Sequence, residues 1–199
     1  MNTSKYFIIL WLSILFFVFP ILVLANPTDA AIFAGGSFWC MQSDFDKVPG
    51  VEKTIVGYTG GRIINPTYEQ VTHGKTGHYE AIQIFYDPTK TSYRKLLDVF
   101  WHNIDPTNAK GQFCDKGSQY RAVIFYHNEM QKNIADESKQ QLMKSGNFKQ
   151  ITTQILPASV FYPAEEAHQK YYQKHPIRFR VYRFTCGRNE RLGEIWQKK

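Results

Sequence analysis

Short apolar runs of strand length recur along the chain after residue 29, and most of them end at glycine, proline or polar residues. These runs are rich in β-branched and aromatic residues, which is typical of strands. In one of them Ile82, Ile84 and Tyr86 are spaced two apart, so they are expected on one face of a strand. The predicted strands are "AAIFAGG", "VEKTIVGYTGG", "HYEAIQIFYDP", "RAVIFYH" and "ITTQILPA".

Amphipathic stretches of helical period lie between these strands. Ser92 is the predicted N-cap of one helix, and Asn128 and Gly146 mark the start and the end of another. The predicted helices are "SFWCMQSDFDKV" with Ser37 near its N-cap, "YRKLLDVFWHNI" with a stripe of Leu96, Leu97, Phe100 and Trp101, "NEMQKNIADESKQQLMKSG", and short ones in "INPTYEQV" and "PAEEAHQKYYQKH".

The remaining segments are predicted to lack regular structure. "DPTNAKGQFCDKGSQY" reads as a polar loop, and a loop of this length often carries function. The tail that follows the last short helix and ends at Lys199 is predicted to be irregular. Strands separated by helices of this size favour an α+β architecture, in which helices pack on a sheet.

The first 25 residues form a separate segment. Lys5 is followed by an apolar run that ends at Ala25, and small residues before Asn26 fit a signal-peptidase site. We therefore predict a signal peptide over residues 1–25, one domain over residues 26–199, and an exported protein that is periplasmic or secreted. An uncleaved membrane anchor is the alternative, because about 20 apolar residues can span a bilayer. After cleavage no membrane contact is expected.

Composition excludes some classes of function. The chain has 199 residues, of which 43% are hydrophobic and 21% charged, as expected for one globular domain. Its formal charge of +7 falls to +6 without residues 1–25. The basic residues are scattered among acidic ones and form no long run, so nucleic-acid binding is not expected.

Three cysteines are present: Cys40, Cys114 and Cys186. An odd number in an exported protein leaves at least one thiol without an intramolecular partner, or indicates thiols kept for chemistry. Because no C-x-x-C pair occurs and the six histidines are dispersed, no metal site is predicted.

Polar residues at strand ends and turns are further candidates for function. Glu80 follows two glycines at the start of a strand, Asp115 and Tyr120 lie in a glycine-containing loop, and Tyr68 follows a turn. Each of these residues on its own is typical of ordinary protein surface.

Seven blocks over roughly residues 30 to 175 are informative together: "GGSFWCMQSDF", "GVEKTIVGYTGG", "NPTYEQV", "GHYEAIQIFYDP", "LLDVFWHNIDPT", "GQFCDKGSQYRAVIFY" and "FYPAEEAHQKYY". In their order along the chain, these blocks resemble the peptide methionine sulfoxide reductase A family, which reduces the S epimer of methionine sulfoxide. The resemblance implies a thiol-dependent oxidoreductase that acts on oxidised proteins and on free methionine sulfoxide. It also implies no bound cofactor and an external thioredoxin-like dithiol as reductant. The expected fold is α+β, a two-layer ferredoxin-like sheet with helices packed on it.

The resemblance also implies roles for individual residues. Sulfoxide reduction needs a thiolate that attacks sulfur, a proton donor, and hydrogen bonds to the oxygen that leaves as water. The family's proton donor falls on Glu80, whose pKa a partly apolar pocket would raise. The substrate-binding positions fall on Tyr68, Asp115 and Tyr120, which form hydrogen bonds, and on Phe38 and Trp39, which form the methyl pocket. Ordinary core packing is the alternative for that aromatic pair.

The chain departs from the family directly before the Phe-Trp pair, where the family has its nucleophilic cysteine and this chain has Ser37. A thiol has a pKa near ~8.5, which falls further at a helix N-terminus, whereas an alcohol ionises far less readily. Oxygen also cannot take up the two oxidising equivalents that a cysteine stores as a sulfenic acid and then as a disulfide. Activation of Ser37 by a base would therefore not restore the reaction.

Cys40 is the predicted replacement for this nucleophile. It lies in the first turn after Ser37, where the helix dipole favours a thiolate by ~0.3–1 kcal/mol, and on the same helix face. Against this role, a displacement of about 1 Å can cost ~100-fold in rate. The alternative is that Ser37 caps the helix by accepting a hydrogen bond from the Cys40 amide, with Cys40 a small buried residue. Cys186 and Cys114 are the candidate resolving thiols that would form a disulfide with Cys40.

Three interpretations remain open from the sequence. The first is a peptide-methionine (S)-S-oxide reductase that uses Cys40, and the second is a catalytically impaired relative that binds oxidised methionine without turnover. The third is a serine introduced to trap a substrate complex, against which the intact N-terminal signal argues.

Overall fold

The computed structural model describes residues 28–196. The predicted signal peptide over residues 1–25 lies outside the described residues. Between residues 28 and 196, no helix combines the length and the apolar character that a membrane span requires.

Eight strands and seven α-helices make up this part of the chain. The strands are β1 (Asp29–Ala34), β2 (Val51–Thr59), β3 (Tyr79–Tyr86), β4 (Gly111–Gln112), β5 (Asp115–Lys116), β6 (Val123–Tyr126), β7 (Gln154–Pro157) and β8 (Tyr162–Pro163). The helices are α1 (Phe38–Phe45), α2 (Tyr68–Thr72), α3 (Tyr93–His102), α4 (Glu129–Lys144), α5 (Tyr171–Lys174), α6 (Pro176–Thr185) and α7 (Arg188–Trp196).

Six of the strands form one sheet in the order β7-β6-β1-β3-β2-β8. Its four central strands are antiparallel, with β1 paired to β3 and β6, and β2 paired to β3. Along the chain, α1 lies between β1 and β2, and α3 lies between β3 and β6. These strands and helices therefore have the split β-α-β-β-α-β topology of ferredoxin-like folds. The predicted α+β, ferredoxin-like fold is confirmed. Two strands extend the sheet, β7 parallel to β6 and β8 antiparallel to β2.

One face of the sheet packs against helices and forms the main core. Ile82, Ile84 and Tyr86 are all buried there, as their spacing predicted, together with Phe33 of β1 and Phe100 of α3. The opposite face carries a smaller cluster that the chain between residues 156 and 161 covers. The helices therefore form a single layer on one side of the sheet.

The predicted N-caps of two helices are confirmed. The side chain of Ser92 accepts a hydrogen bond from the Lys95 N–H at 3.2 Å, and that of Asn128 accepts one from the Gln131 N–H at 2.9 Å. Each bond satisfies an amide that the first helical turn would otherwise leave unpaired.

The tail was wrongly predicted to be irregular, because it folds into α6 and α7. Its pattern of polar and apolar residues does not follow burial: Ile177 and Phe184 are 73% and 84% exposed, whereas Arg188 is 1% exposed. A reading based on a buried apolar stripe therefore finds no helix there. The short helix expected in "PAEEAHQKYYQKH" is reduced to the four residues of α5.

Candidate active site

The site begins at the turn between β1 and α1. Gly36 has φ +84°, and a Cβ on it would lie 2.6 Å from the Cβ of Gln112, so the turn requires glycine. Ser37 is the N-cap of α1, and its backbone carbonyl accepts hydrogen bonds from the amides of Cys40 (3.1 Å) and Met41 (3.2 Å). Its side chain makes no cap bond. The alternative of a side-chain cap on the Cys40 amide is therefore wrong, and the Ser37 hydroxyl is left for other contacts.

Glu80 extends from β3 toward the start of α1. It lies opposite Tyr58 of β2 and is 2% exposed. Its Oε2 accepts a hydrogen bond from the Phe38 N–H at 3.0 Å, and Tyr120 also bonds the carboxyl group. Burial raises the pKa of Glu80 from 4.5 to about 8, although the Phe38 and Tyr120 bonds act in the opposite direction. Glu80 is therefore protonated at neutral pH, as a general acid must be.

Asp115 lies on the other side of Ser37, in the short strand β5. Its Oδ2 accepts a hydrogen bond from the Tyr182 hydroxyl at 2.7 Å, and the Ser37 N–H also bonds its carboxylate. Burial raises the pKa of Asp115, whereas Tyr182 and the guanidinium of Arg188 work against that shift. The hydroxyls of Ser37 and Tyr182 are also hydrogen-bonded to each other. The carboxylate therefore couples the start of α1 to helix α6.

A cavity of about 60 Å³ opens between these groups. This volume exceeds what a single water needs and can admit a group of a few heavy atoms. The residues that line it are Ser37, Trp39, Tyr68, Glu80, Asp115, Tyr120 and Tyr182. The structure thus brings together six of the residues that the sequence singled out, and adds Tyr182.

Burial governs the ionisation of the tyrosines around the cavity. It raises the pKa values of Tyr68 and Tyr120, with a further contribution from the nearby carboxyl of Glu80. Both phenols therefore keep their protons throughout the physiological range and can donate hydrogen bonds to an oxygen in the cavity.

The two aromatic residues of the predicted methyl pocket differ in position. Trp39 lines the cavity, stacks on Tyr171 with 3.9 Å between ring centroids, and donates from Nε1 to Nδ1 of His168 at 3.2 Å. Phe38 is 1% exposed and packs in a cluster with Val56 and other apolar residues behind the cavity. Phe38 therefore packs in the core in contact with the cavity residues Trp39 and Tyr68, whereas Trp39 itself is available to a ligand.

Glu165 fixes the position of Tyr68, although the sequence did not indicate it. Its Oε1 accepts a hydrogen bond from the Tyr68 N–H at 2.8 Å, and its Oε2 accepts one from the Tyr58 hydroxyl at 2.8 Å. The ring of His168 stacks on Tyr68 with 4.1 Å between centroids. The block "FYPAEEAHQKYY" that contains both residues was the available signal.

Cys40 does not line the cavity. It is 2% exposed, and burial raises the pKa of its thiol despite the opposing charges of Arg188 and Arg183. The guanidinium of Arg183 is hydrogen-bonded to Cys40 and, at 3.0 Å, forms an ion pair with Asp44. The effect of the helix dipole is therefore outweighed by desolvation at this position.

The other two cysteines form a disulfide with each other, Cys114 with Cys186, and Cys40 is free. The structure therefore does not contain the predicted disulfide between Cys40 and a resolving cysteine. Cys114 directly precedes Asp115, and Cys186 directly follows α6, which carries Tyr182. The bond joins the cavity loop to the C-terminal helices.

A buried arginine holds α7 beneath the cavity. Arg188 donates from Nη2 to the carbonyl of Asn103 at 2.5 Å and from Nη1 to the carbonyl of Gly35 at 3.4 Å. Its guanidinium also lies over the ring of Phe113, 4.6 Å from the centroid. These contacts tie α7 to the turn before α1 and to the loop before Asp115.

Comparisons with known proteins agree with this geometry. The family model described as "Peptide methionine sulfoxide reductase" matches residues 29–199. Peptide methionine sulfoxide reductase MsrA of Bacillus licheniformis is 51% identical over 177 residues, which are 88% of this chain and 98% of that protein.

Solved structures show the same fold. Methionine sulfoxide reductase A of Corynebacterium diphtheriae aligns with a TM-score of 0.68 and 33% identity over 75% of this chain and 76% of that one. Mxr1 from Saccharomyces cerevisiae in complex with Trx2 aligns with a TM-score of 0.50 and 25% identity over 75% of this chain and 91% of that one. With the family model covering the whole described fold, the chain belongs to the peptide methionine sulfoxide reductase family.

Proposed function

We propose that the chain reduces the S epimer of methionine sulfoxide, both in oxidised proteins and as the free amino acid. The observation that carries this proposal is the cavity in which a protonated carboxyl group, two phenols and an indole converge. Glu80, Tyr68 and Tyr120 can all donate to one oxygen, and Trp39 provides an apolar wall beside them. A methyl sulfoxide matches this arrangement, because its oxygen accepts hydrogen bonds and its apolar methyl group is bonded to the same sulfur.

The cavity residues act on the sulfoxide oxygen and the methyl group. The phenols of Tyr68 and Tyr120 hydrogen-bond the oxygen, and Glu80 transfers its proton to that oxygen as the S–O bond breaks. Trp39 contacts the S-methyl group. The oxygen leaves as water, and two thiols supply the two electrons and become a disulfide.

An external dithiol is needed to complete the cycle, because each turnover leaves the enzyme oxidised. Mxr1 has been solved in complex with Trx2, which supports a thioredoxin-like partner for this chain. The exposed side chain of Cys114 gives such a partner access to the disulfide.

Methionine formation tests the proposal. The protein is incubated with dithiothreitol and a peptide containing methionine S-sulfoxide, with the R-sulfoxide peptide as the matched control. Methionine is expected from the S epimer only. If the wild type forms none, while Ser37→Cys does, the reductase activity of this chain is refuted.

A second candidate function is binding of oxidised methionine without turnover. The observation that favours it is the position of Ser37 in the cavity wall, with Cys40 buried behind it. A sulfoxide peptide should then quench or shift the fluorescence of Trp39 while no methionine forms. Rapid turnover would exclude this candidate.

We also propose that the protein functions outside the cytoplasm. The N-terminal segment supports this, because a lysine followed by an apolar run and by small residues before Asn26 is typical of an export signal. Detection of a mature N-terminus at Asn26 in an extracytoplasmic fraction would test both export and cleavage.

A further inference from the structure

The disulfide lies directly against the wall of the candidate active site. The sulfur atoms of Cys114 and Cys186 and a carboxylate oxygen of Asp115 all lie within 4.8 Å of one another. Asp115 itself lines the cavity, where its other oxygen is bonded to Tyr182. The two sulfur atoms therefore lie next to the side chain of Asp115, which borders the cavity proposed to bind the substrate.

We propose that Cys114 and Cys186 form the dithiol that reduces the substrate, with Cys186 as the attacking thiol and Cys114 as the resolving thiol. This inference rests on the proposed sulfoxide reductase function and names the source of its electrons. It differs from the sequence prediction, in which Cys40 attacks and one of these two cysteines resolves.

Two groups near Cys186 favour a thiolate there, against the opposing charge of the Asp115 carboxylate. The backbone N–H of Cys114 points to Sγ of Cys186 at 3.2 Å, a donor that stabilises negative charge on that sulfur. The buried guanidinium of Arg188 is two residues away and lies over Phe113, next to Cys114. Positive charge and an N–H donor together activate a cysteine in many redox enzymes.

The exposure of the two cysteines matches their assigned roles. Cys186 is partly buried between α6 and α7, whereas Cys114 is exposed on the surface. An external dithiol therefore reaches Cys114 first, and its attack there releases Cys186 as the thiolate. Reduction thus regenerates the Cys186 thiolate close to Asp115, which lines the cavity.

Cys40 lacks these features. It is 2% exposed, lies behind the cavity wall, and its sulfur accepts a hydrogen bond from Arg183, which is itself paired with Asp44. A substrate could reach it only if the start of α1 moved.

The reaction balances with these two thiols. The Cys186 thiolate attacks the sulfoxide sulfur and forms an S–S bond, while Glu80 and solvent supply the two protons with which the oxygen leaves as water. A water molecule then attacks Cys186 Sγ and breaks that S–S bond, which releases the sulfide and one proton and leaves Cys186 sulfenic acid. The Cys114 thiol then attacks Cys186 Sγ and expels water, which forms the disulfide present in the structure. The sulfoxide gains two electrons and the two cysteines lose two. An external dithiol returns both electrons and both protons.

Single-turnover chemistry tests the assignment. The full chain is reduced with dithiothreitol, freed of it by gel filtration, and mixed with excess methionine S-sulfoxide. Methionine is quantified by chromatography, and the oxidation state of each cysteine by mass spectrometry. The variants are Cys186→Ser, Cys114→Ser and, as the matched control, Cys40→Ala, each checked for folding by circular dichroism.

The expected results differ for each variant. Wild type and Cys40→Ala should form about one methionine per chain and the Cys114–Cys186 disulfide, and Cys186→Ser should lose at least 100-fold in rate. Cys114→Ser should form one methionine and hold a Cys186 sulfenic acid that dimedone traps. Retained activity in Cys186→Ser, or loss in a folded Cys40→Ala, overturns the assignment.

The wild-type reaction keeps the inference testable if Cys186→Ser does not fold. A wild-type disulfide that contains Cys40 after turnover also overturns the assignment. If reduced wild type forms no methionine, the proposed function itself fails, which is a different outcome from methionine formation that does not depend on Cys186.

Discussion

The hydroxyl of Tyr182 donates a 2.7 Å hydrogen bond to Oδ2 of Asp115, across 67 residues of sequence. This contact brings helix α6 into the wall of the cavity, so a residue from the tail takes part in positioning the site. Tyr182 is also in edge-on contact with Trp39, with 5.8 Å between ring centroids. Tyr182 therefore orients both the carboxylate of Asp115 and the indole ring of Trp39 in the cavity wall.

Substitution of Tyr182 should weaken substrate binding. Tyr182→Phe keeps the ring but removes the hydrogen bond that orients Asp115 in the cavity wall, so the affinity for a sulfoxide peptide should fall. The pKa of Asp115 should also rise further, because the Tyr182 bond holds it down. Titration followed by tryptophan fluorescence measures the first effect, and carbon NMR of labelled aspartate measures the second. An unchanged Asp115 pKa would contradict this role.

Activity should depend on pH through Glu80. Its pKa is raised to about 8 by burial, so the proton it donates is present at neutral pH and is lost as pH rises through about 8. Glu80→Gln should reduce turnover by about 10²–10⁴-fold, since general acid catalysis typically contributes that much. Its residual rate should show no decline near pH 8. A wild-type rate that stays constant from pH 6 to 10 would contradict the assignment.

Stability should depend on the same proton. The pKa of Glu80 is higher in the folded state than its ordinary value of 4.5. The contribution of Glu80 to the free energy of unfolding is therefore fully present below pH 4.5 and is lost as pH rises through about 8. Glu80→Gln cannot ionise, so its Tm relative to wild type should increase between pH 5 and pH 9. Calorimetry at both pH values measures the difference.

The disulfide should stabilise the fold. Cys114 and Cys186 are 72 residues apart, and closure of a loop of this length contributes about 2–4 kcal/mol. Addition of dithiothreitol should therefore lower the urea midpoint of wild type. The Cys114→Ser/Cys186→Ser double variant should unfold at the lower midpoint and not respond to dithiothreitol. A wild-type midpoint that is insensitive to dithiothreitol would show that the bond does not constrain the fold.

Arg188 should matter more for stability than a surface arginine. Arg188→Met leaves the carbonyls of Gly35 and Asn103 without their donor in a buried site and should cost about 2–4 kcal/mol in the free energy of unfolding. Arg94→Met is the matched control, because the ion pair of Arg94 with Glu137 is half-exposed and should contribute no more than about 1 kcal/mol. Equal losses in the two variants would contradict the structural role of Arg188.

The sequence predicted the centre of the fold well because local signals agree with burial there. In strand β3 the spacing of Ile82 and Ile84 already indicates which face is buried. At the start of α3 the side chain of Ser92 caps the helix through a local hydrogen bond, so the sequence alone marks where this helix begins. The tail lacks such agreement. Phe184 is exposed and Arg188 is buried against carbonyls and an aromatic ring, so a polarity pattern assigns each to the wrong environment.

The candidate site was predicted only in part, because the family resemblance includes some of its residues and not others. Glu80 and Tyr120 fall in segments whose order resembles a known family, and the structure places both at the cavity. Tyr182 lies outside the matching blocks, and nothing local marks a tyrosine in an arginine-rich helix as a cavity residue. The pairing of Cys114 with Cys186 also depends on how α6 docks, which sequence spacing does not determine.

The position of α6 and α7 has a consequence for biosynthesis. Ser37 is the first cavity-lining residue along the chain and Tyr182 is the last. Arg188 of α7 donates a hydrogen bond to the carbonyl of Gly35, two residues before Ser37. A nascent chain of this protein therefore cannot complete the cavity before α6 has been synthesised, and every fragment that ends before Tyr182 lacks part of its lining. The complete cavity therefore forms only after α6 has docked against the loop that carries Asp115.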